Sequence, residues 1–450
     1  MFARCLPAAG LAFALAISSP SAAQSNAESK AAASAELPDL RFRPTPEIVA
    51  DFAKFFYFHR DDVDFETAHA DIRECDGYAR GLSSGVADGA AIYGALGNVI
   101  ADVVHGAAIR REQRRLNMRT CMGLKGYQVY GLPKDIWSQF NFEEGNSAVE
   151  KVRRQDLLAL QAKAASGPRP TFLPVTEFGK GNLVTAVSPA LDAVPKAPRQ
   201  FDAKAPVVLD KAMAYVYFRM PVRGTIVLLR AVTAEERSAW ETARAEALAK
   251  AQAKYQRDLN RYHAAMKVYV PVPGIGAPEK PKTVEESFVF PPPEADNLVA
   301  IGPRPQFDKG QSDFGYLAGV APGTYTIYAE VTASSVAVGF CLCMGSVSFD
   351  ARPGLVANLG RFTFPRMQLL EGKKGRPVLS QELLTTPALG LEPPTGPLPG
   401  RLSSAPVVPA ELRASDKLDN QLGIVITRFA PVEGVLGYQR DKVLTLGKGD

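Results

Sequence analysis

The sequence predicts an α+β fold, with an N-terminal disulfide-stapled helical hairpin and a C-terminal antiparallel β-sandwich that carries a long helical insertion. Three observations carry that expectation. Apolar residues recur every three or four positions from Pro46 to about Arg119, the period falls to two from Ala205, and residues 234–267 form an unbroken run of helix formers inside the second region. A chain of 450 residues is long enough for two or three units, each able to bury a core. A hydrophobic content of 46% beside 22% charged residues is ordinary for a globular protein, while 37 Gly and 35 Pro imply many turns and several extended crossings.

The first residues read as an export signal. Arg4 supplies a positive start, Leu11 to Ile17 is apolar, and Ser21-Ala22-Ala23 places small residues at a cleavage site near Ala23. Residues 1–23 are therefore expected to be removed and the product to be periplasmic or secreted. The formal charge of +5 is spread without Lys/Arg blocks, so no nucleic-acid footprint appears. No later apolar stretch reaches the roughly 20 residues that cross a bilayer, which predicts no transmembrane helix in the mature chain and at most peripheral membrane contact.

Residues 24–45, Ala/Ser-rich and then Pro-containing, read as a disordered tether, and residues 46–132 as the helical hairpin. Ile48, Phe52, Phe55 and Phe56 share a helical face, and after the acidic turn His59-Arg60-Asp61-Asp62 a second helix aligns Phe65, Ala68, Ile72, Cys75 and Ala79. Gly81, Gly85, Gly89, Gly94 and Gly97 form a small-residue series that lets helices approach closely. Asp88 and Asp102 bracket that series too tightly for a membrane span, so it reads as a packed antiparallel hairpin. Cys5 leaves with the signal, and Cys75, Cys121, Cys341 and Cys343 allow three pairings in an oxidising compartment. The midpoint of Cys75 and Cys121 falls at the turn Gly97-Asn98, which favours that bridge. Closing its loop contributes on the order of 4 kcal/mol in the chain-entropy account.

After Cys121 the chain runs Met122-Gly123-Leu124-Lys125-Gly126-Tyr127 into a short strand from Gln128 to Tyr130. This C-M-x-x-K-G-Y ending resembles that of small glycine-zipper-containing periplasmic proteins of Gram-negative bacteria, over about residues 58–130. Together with Phe58-His59 and the C-terminal Gly434-Val435-Leu436-Gly437-Tyr438-Gln439-Arg440-Asp441, the chain is similar to uncharacterised exported envelope proteins. That resemblance implies an envelope location and no particular chemistry. The Pro322-Gly323-Thr324-Tyr325 strand launch and the closing Pro353-Gly354-Leu355-Val356-Ala357-Asn358-Leu359-Gly360 resemble the β-domains of envelope lipoproteins and transthyretin-like modules, and bring no active site with them.

Residues 133–205 read as a helix and a Pro-rich linker. The helix is opened by a Ser147/Glu150 capping box ahead of Val152, Leu157, Leu158 and Leu160, and a domain boundary is expected in the linker. Residues 206–380 read as the β-sandwich. There Ala212, Ala214, Val216 and Phe218 alternate with Met213, Tyr215, Tyr217 and Arg219, and Pro221 to Gly224 is expected to turn the chain into a hairpin with Thr225 to Val232. The helical insertion, 233–268, opens on a Thr233/Glu236 capping box and sets Trp240, Leu248, Tyr255, Leu259, Tyr262 and Met266 near heptad spacing. Two placements are open to it: across the sheet, or protruding as an arm for an envelope protein partner. Further strands are expected at Ser287–Phe290, Leu298–Ile301, Tyr325–Val331, Val336–Met344, Val347–Ala351 and Leu355–Leu359. Residues 381–412 read as a second Pro-rich linker and 413–450 as a C-terminal strand segment.

The sharpest local chemistry is Cys341-Leu342-Cys343-Met344. In an extended strand the two cysteines stand on one face with Cα atoms roughly 6.6 Å apart, so a bridge between them needs a bulge or turn that Gly345 can supply. Two thiolates with the Met344 thioether are soft ligands suited to Cu(I), which makes copper binding or thiol redox work the alternative function. The competing reading is a pair of small buried residues or a structural bridge. His59, His69, His105 and His263 show no zinc-hydrolase spacing, and His69 reads as a helix-surface residue. Gly81-Leu82-Ser83-Ser84-Gly85 follows a helix rather than a strand, so it lacks the context of a nucleophile elbow. Gly274 and Gly276 fall short of a dinucleotide fingerprint, and Asp61, Asp62 and Asp64 lack the EF-hand glycine and glutamate and read as a helix N-terminal cluster. With no catalytic residue and no cofactor other than that copper alternative, the expectation is a non-enzymatic structural or interaction protein of the cell envelope.

Overall fold

A short run of aromatic residues decides how the chain begins. The computed structural model describes residues 36–447 apart from 81–98, 143–150, 171, 181–195, 205–206, 272–275, 289, 305, 310–312, 334–336, 372–376 and 396. Thr45 caps helix α1 (Pro46–Ala50), its hydroxyl accepting from the Ile48 amide, but the helix does not continue to Phe56 as its periodicity suggests. Phe56, Tyr57, Phe58 and His59 are buried on both faces and form strand β1 (Phe56–His59), which pairs antiparallel with β2 (Gln128–Gly131). Bulky aromatic residues suit a two-sided strand, and a run this short fits either period.

Helices α2 (Phe65–Arg80), α3 (Val99–Leu124), α4 (Lys134–Phe140) and α5 (Lys151–Ser166) pack around that small sheet. Ala68, Ile72, Cys75 and Ala79 of α2 are buried, the stripe expected from the sequence. The Cys75 and Cys121 sulfurs lie 2.00 Å apart with Cα atoms at 5.5 Å, joining α2 to α3. On α5, the Arg154 guanidinium meets the Asp76 carboxylate in an ion pair with both side chains buried. The signal segment, the glycine series with its Gly97-Asn98 turn, and the Ser147/Glu150 capping box lie outside the described residues. The stretch read as a tether is described from residue 36, and there it is anchored: the Phe42 ring sits 5.2 Å from Phe172 and 6.1 Å from Phe52.

The rest of the chain is mostly strand. The first large sheet contains β6 (Thr225–Arg230), β7 (Leu298–Ile301), β10 (Gly323–Ala333), β11 (Ala337–Cys341), β12 (Ser346–Ala351), β17 (Arg413–Ser415) and β18 (Val425–Ile426). The second contains β4 (Arg199–Gln200), β5 (Ala214–Met220), β8 (Asp308–Lys309), β9 (Phe314–Val320), β13 (Val356–Thr363), β15 (Gly390–Glu392) and β16 (Val407–Pro409). Two small pairs complete the set, β3 (Glu177–Lys180) with β14 (Val378–Ser380) and β19 (Leu436–Gln439) with β20 (Lys442–Thr445).

Alternation along single strands divides the core. Ala214, Val216, Phe218 and Met220 of β5 join Ile226 and Leu228 of β6, Tyr325 and Ile327 of β10, and Val347 and Phe349 of β12 in one buried cluster shared by the two sheets. The opposite residues of β6, Val227 and Leu229, join the helices in a second cluster, and Tyr215 and Tyr217 of β5 join a third. A bulge between Ile327 and Ala329 lets both Tyr328 and Ala329 face the helical side.

β5 and β6 do not form the hairpin expected across Pro221 to Gly224. β5 runs between β13 and β9, and β6 between β10 and β7, so neither strand has a free edge for the other. The four-residue connection instead carries the chain from one sheet to the next. Other expectations are corrected too. Of the strand expected at Ser287–Phe290, Ser287 ends the short helix α7 (Val284–Ser287) and Phe288 and Phe290 belong to no strand; α7 comes after the long helix α6 (Ala234–Val268). Residues 168–205 contribute β3 and β4 rather than only a linker. Residues 381–412 hold a helix, α8 (Gln381–Thr385), and strands β15 and β16 on β13. Prolines misled here because both short strands sit at an edge of the second sheet, where a missing N–H costs no ladder bond.

Replacing Cys75 and Cys121 together by Ser is expected to lower unfolding stability by about 4 kcal/mol, read from urea midpoints at equal slope. A double variant as stable as the parent contradicts that contribution.

Candidate functional site

Strand β11 ends at Cys341, and the chain turns at Cys343-Met344 onto Gly345 at φ +120°, a value that favours glycine. That turn brings the Cys341 and Cys343 Cα atoms to 5.1 Å, closer than an extended strand allows, with the sulfurs at disulfide distance. The loop is gripped by the later chain. Thr427 N donates to Cys341 O at 2.7 Å, Met344 N to Thr427 O at 3.0 Å and Leu418 N to Cys343 O at 2.9 Å. Residues 341–344 are fully buried. Met344 lies with the two cysteines on the helical side while Leu342 faces the shared core, because the strand breaks before the alternation reaches Met344. Sulfurs joined in a bridge offer no thiolate, so soft-metal binding there requires the reduced pair. No group of three or more His, Cys, Asp or Glu stands as a metal site among the described residues.

The histidines fall apart in space. His59 is buried, its Nε2 3.1 Å from Asp61 Oδ1 and its Nδ1 3.5 Å from Ala164 O. His69 is also buried rather than on a helix surface, stacked on Phe65 at 5.6 Å, and burial holds its pKa below the ordinary value. His263 lies on the exposed helix α6, and the side chain of His105 lies outside the described residues. Asp64 is an N-terminal cap of α2, its carboxylate accepting from the Thr67 amide at 2.7 Å.

A dense charge cluster joins α2, the end of α3 and the C-terminal strands. Lys125, one residue past α3, is 4% exposed at its side chain and donates to Asp71 at 2.9 Å, Glu74 at 2.8 Å and Asp441 at 2.7 Å. Its carbonyl accepts from Arg60 at 2.9 Å, and the Tyr127 hydroxyl donates to Asp71 at 2.9 Å. Lys417 completes the ring, bonded to Glu74 at 2.8 Å and to Asp441. Arg440, at φ +57° in the two-residue turn between β19 and β20, pairs with Asp62. Sequence reasoning passed over this cluster because its bonded partners lie as far as 378 residues apart. The available signal was a lone Lys inside C-M-x-x-K-G-Y and a lone Asp closing G-V-L-G-Y-Q-R-D.

Burial alone would raise the Glu74 and Asp441 carboxyls, but hydrogen bonds from Lys125 and Lys417 outweigh it and hold both below their ordinary values of 4.5 and 3.8. Lys125 shows the mirror case: burial disfavours its charge, yet its three carboxylate partners hold its pKa above the ordinary 10.5. The carboxylate contribution is complete above the unfolded values and disappears as pH falls through the folded ones, while that of Lys125 persists until pH rises through its folded value.

Helix α6 is the other unusual feature. At about 1.5 Å per residue its 35 residues extend roughly 50 Å, and none is buried. Its base is clamped. Thr233 and Glu236 form the expected capping box, Arg230 pairs with Glu236, and Trp240 Nε1 donates to Pro291 O at 2.7 Å. The Glu236 carboxyl is pulled down to about 2, first by the Arg230 hydrogen bond. Beyond Trp240 the side-chain hydrogen bonds described are internal to the helix, Thr242 to Ser238, Gln256 to Asn260 and Arg261 to Asp258. Helix α7 lies alongside it.

Stability is expected to fall steeply once pH drops below about 4.5, with a shallower fall in a Glu74→Gln variant. Urea midpoints between about pH 7 and about pH 3 measure this, and identical slopes for parent and variant contradict the role given to Glu74. The chain matches no protein-family profile, no curated protein and no solved structure.

Proposed function

We propose that this chain is an exported cell-envelope protein that acts through protein contacts rather than turnover, with helix α6 as its contact arm. In this reading residues 1–23 are a cleaved signal, the N-terminal helices form a stapled hairpin, and the two seven-stranded sheets form a β-sandwich that holds the arm. The observation that carries it is that none of the 35 residues of α6 is buried while its first two turns are fixed by a capping box, an ion pair and an indole hydrogen bond. A helix fixed at its base and wet along its length gains little from intramolecular packing, which is how an element kept for an external partner is built. The stripe of Leu248, Tyr255 and Tyr262 at seven-residue spacing is half-buried and gives that partner a seam.

The test places a photo-crosslinking amino acid at Gln252 or Ala264 on the exposed face of α6, or at Glu411 as a control, in the full chain expressed with its N-terminus intact. The expected result is a chain beginning at Gln24 in the envelope fraction, with one discrete adduct from the α6 positions and none from Glu411. A product retaining residues 1–23 in the cytosol overturns export, and adducts no different from the control overturn the arm.

A further inference from the structure

At one end of the second sheet, three loops meet around an open hollow of about 720 Å3 lined by Asp202, Ala203, Lys204, Arg223, Arg304 and Gln306. The loops lead from β4 to β5, from β5 to β6 and from β7 to β8, and each is pinned next to its basic residue. Phe201 is buried beside the first and Phe307 beside the third, in the cluster that contains Tyr215 and Tyr217. Gly302, at φ +104°, donates its amide to Gln200 Oε1 at 2.8 Å and lies so close to the second loop that an added Cβ would come within 2.2 Å of Gly224 O. That backbone contact sets Arg304 and Arg223 on the same rim. Arg401 ties two of the loops together, donating to Asp202 O at 3.0 Å and Phe307 O at 3.2 Å with its guanidinium 4.5 Å from the Phe307 ring.

Three cations line this hollow beside a single carboxylate, Asp202. Lys125, Arg230, Arg361 and Arg413 each meet a carboxylate. Lys204, Arg223 and Arg304 have no carboxylate within ion-pair distance among the described residues, and Asp202, the one acid on the rim, accepts the Lys204 backbone amide at 2.7 Å. Arg223 lies over the Phe314 ring at 5.2 Å and Arg199 over Phe201 at 4.9 Å, so aromatic faces back the positive rim. Cations gathered on pinned loops repel one another, and an oxyanion placed between them relieves that repulsion.

From this juxtaposition we infer that the hollow formed by Lys204, Arg223 and Arg304 binds the phosphate group of a phosphate ester. Two guanidiniums and an ammonium match a tetrahedral oxyanion, the guanidiniums by paired N–H donation and the ammonium as a point charge. The hollow is open to solvent, so the organic part that carries the phosphate can extend outward from it. This inference stands apart from the contact role of α6, since the hollow and the arm share no residue.

The test uses the full mature chain at low ionic strength. Calorimetric titration with pyrophosphate probes a soluble phosphate ligand, and co-sedimentation with phosphatidylglycerol vesicles, against pure phosphatidylcholine, probes a lipid headgroup. Binding to at least one probe is expected, weakening as salt rises and falling about tenfold or more in an R223Q/R304Q variant with unchanged thermal unfolding. An R43Q/K134Q variant removes the same charge from the helical region and is expected to bind as the parent does. Binding of pyrophosphate alone assigns the site to a soluble phosphate ester, and binding of the anionic vesicles alone assigns it to a headgroup. Failure of both probes, or equal loss in the two variants, overturns the inference.

Discussion

The ammonium of Lys125 holds the two ends of the described chain together. It stands one residue past α3, has 4% of its side-chain surface exposed, and is surrounded by Asp71 and Glu74 of α2 and by Asp441 of the β19–β20 turn. A buried charge is costly unless its partners satisfy it, and here three acceptors answer three N–H donors. Residues 417–441 are fastened to the helices by it and by Asn117: Lys417 shares Glu74 and Asp441, and the Asn117 side chain of α3 accepts from Ile426 N at 2.9 Å and donates to Ile424 O at 3.3 Å. The same late segment grips the Cys341–Cys343 loop through Thr427 and Leu418, so helices, first sheet and C-terminus share one buried cluster.

What was legible in the sequence was local. The face assignment along β5 reads directly from alternation, with Ala214, Val216 and Phe218 opposite Tyr215 and Tyr217, and the capping box at Thr233 and Glu236 marks the start of α6. The Cys75 and Cys121 sulfurs lie at disulfide distance, the pairing expected from the sequence. What was not legible depended on distant partners. Nothing near Pro221 says that β5 is already flanked by β13 and β9, so a short Pro/Gly turn reads as a hairpin when it is a crossing between sheets. Edge strands β15 and β16 were hidden among prolines, and the Lys125 cluster is invisible without the fold because its residues come from four separate stretches of chain.

The surface divides in a way that follows from those constraints. Where cations are needed for the fold they are buried or paired, as at Lys125, Arg154 and Arg413. Two features face outward instead: α6, of whose 35 residues none is buried, and the hollow lined by Lys204, Arg223 and Arg304. Both are anchored on the β region, α6 by Arg230 and Trp240 and the hollow by Phe201, Gly302 and Phe307, so rigid strands support the parts that face outward.

The central claim is that Lys125 couples the C-terminal segment to the helices, and native-state hydrogen exchange of a Lys125→Met variant tests it most directly. Methionine keeps the length of the side chain and leaves Asp71, Glu74 and Asp441 facing one another, a change expected to cost about 3–5 kcal/mol. The account predicts that amides of residues 418–445, including Ile426 and Leu436, lose protection together, while those of the shared core in β5 and β9 keep it. Protection of the C-terminal segment equal to that of the parent contradicts it.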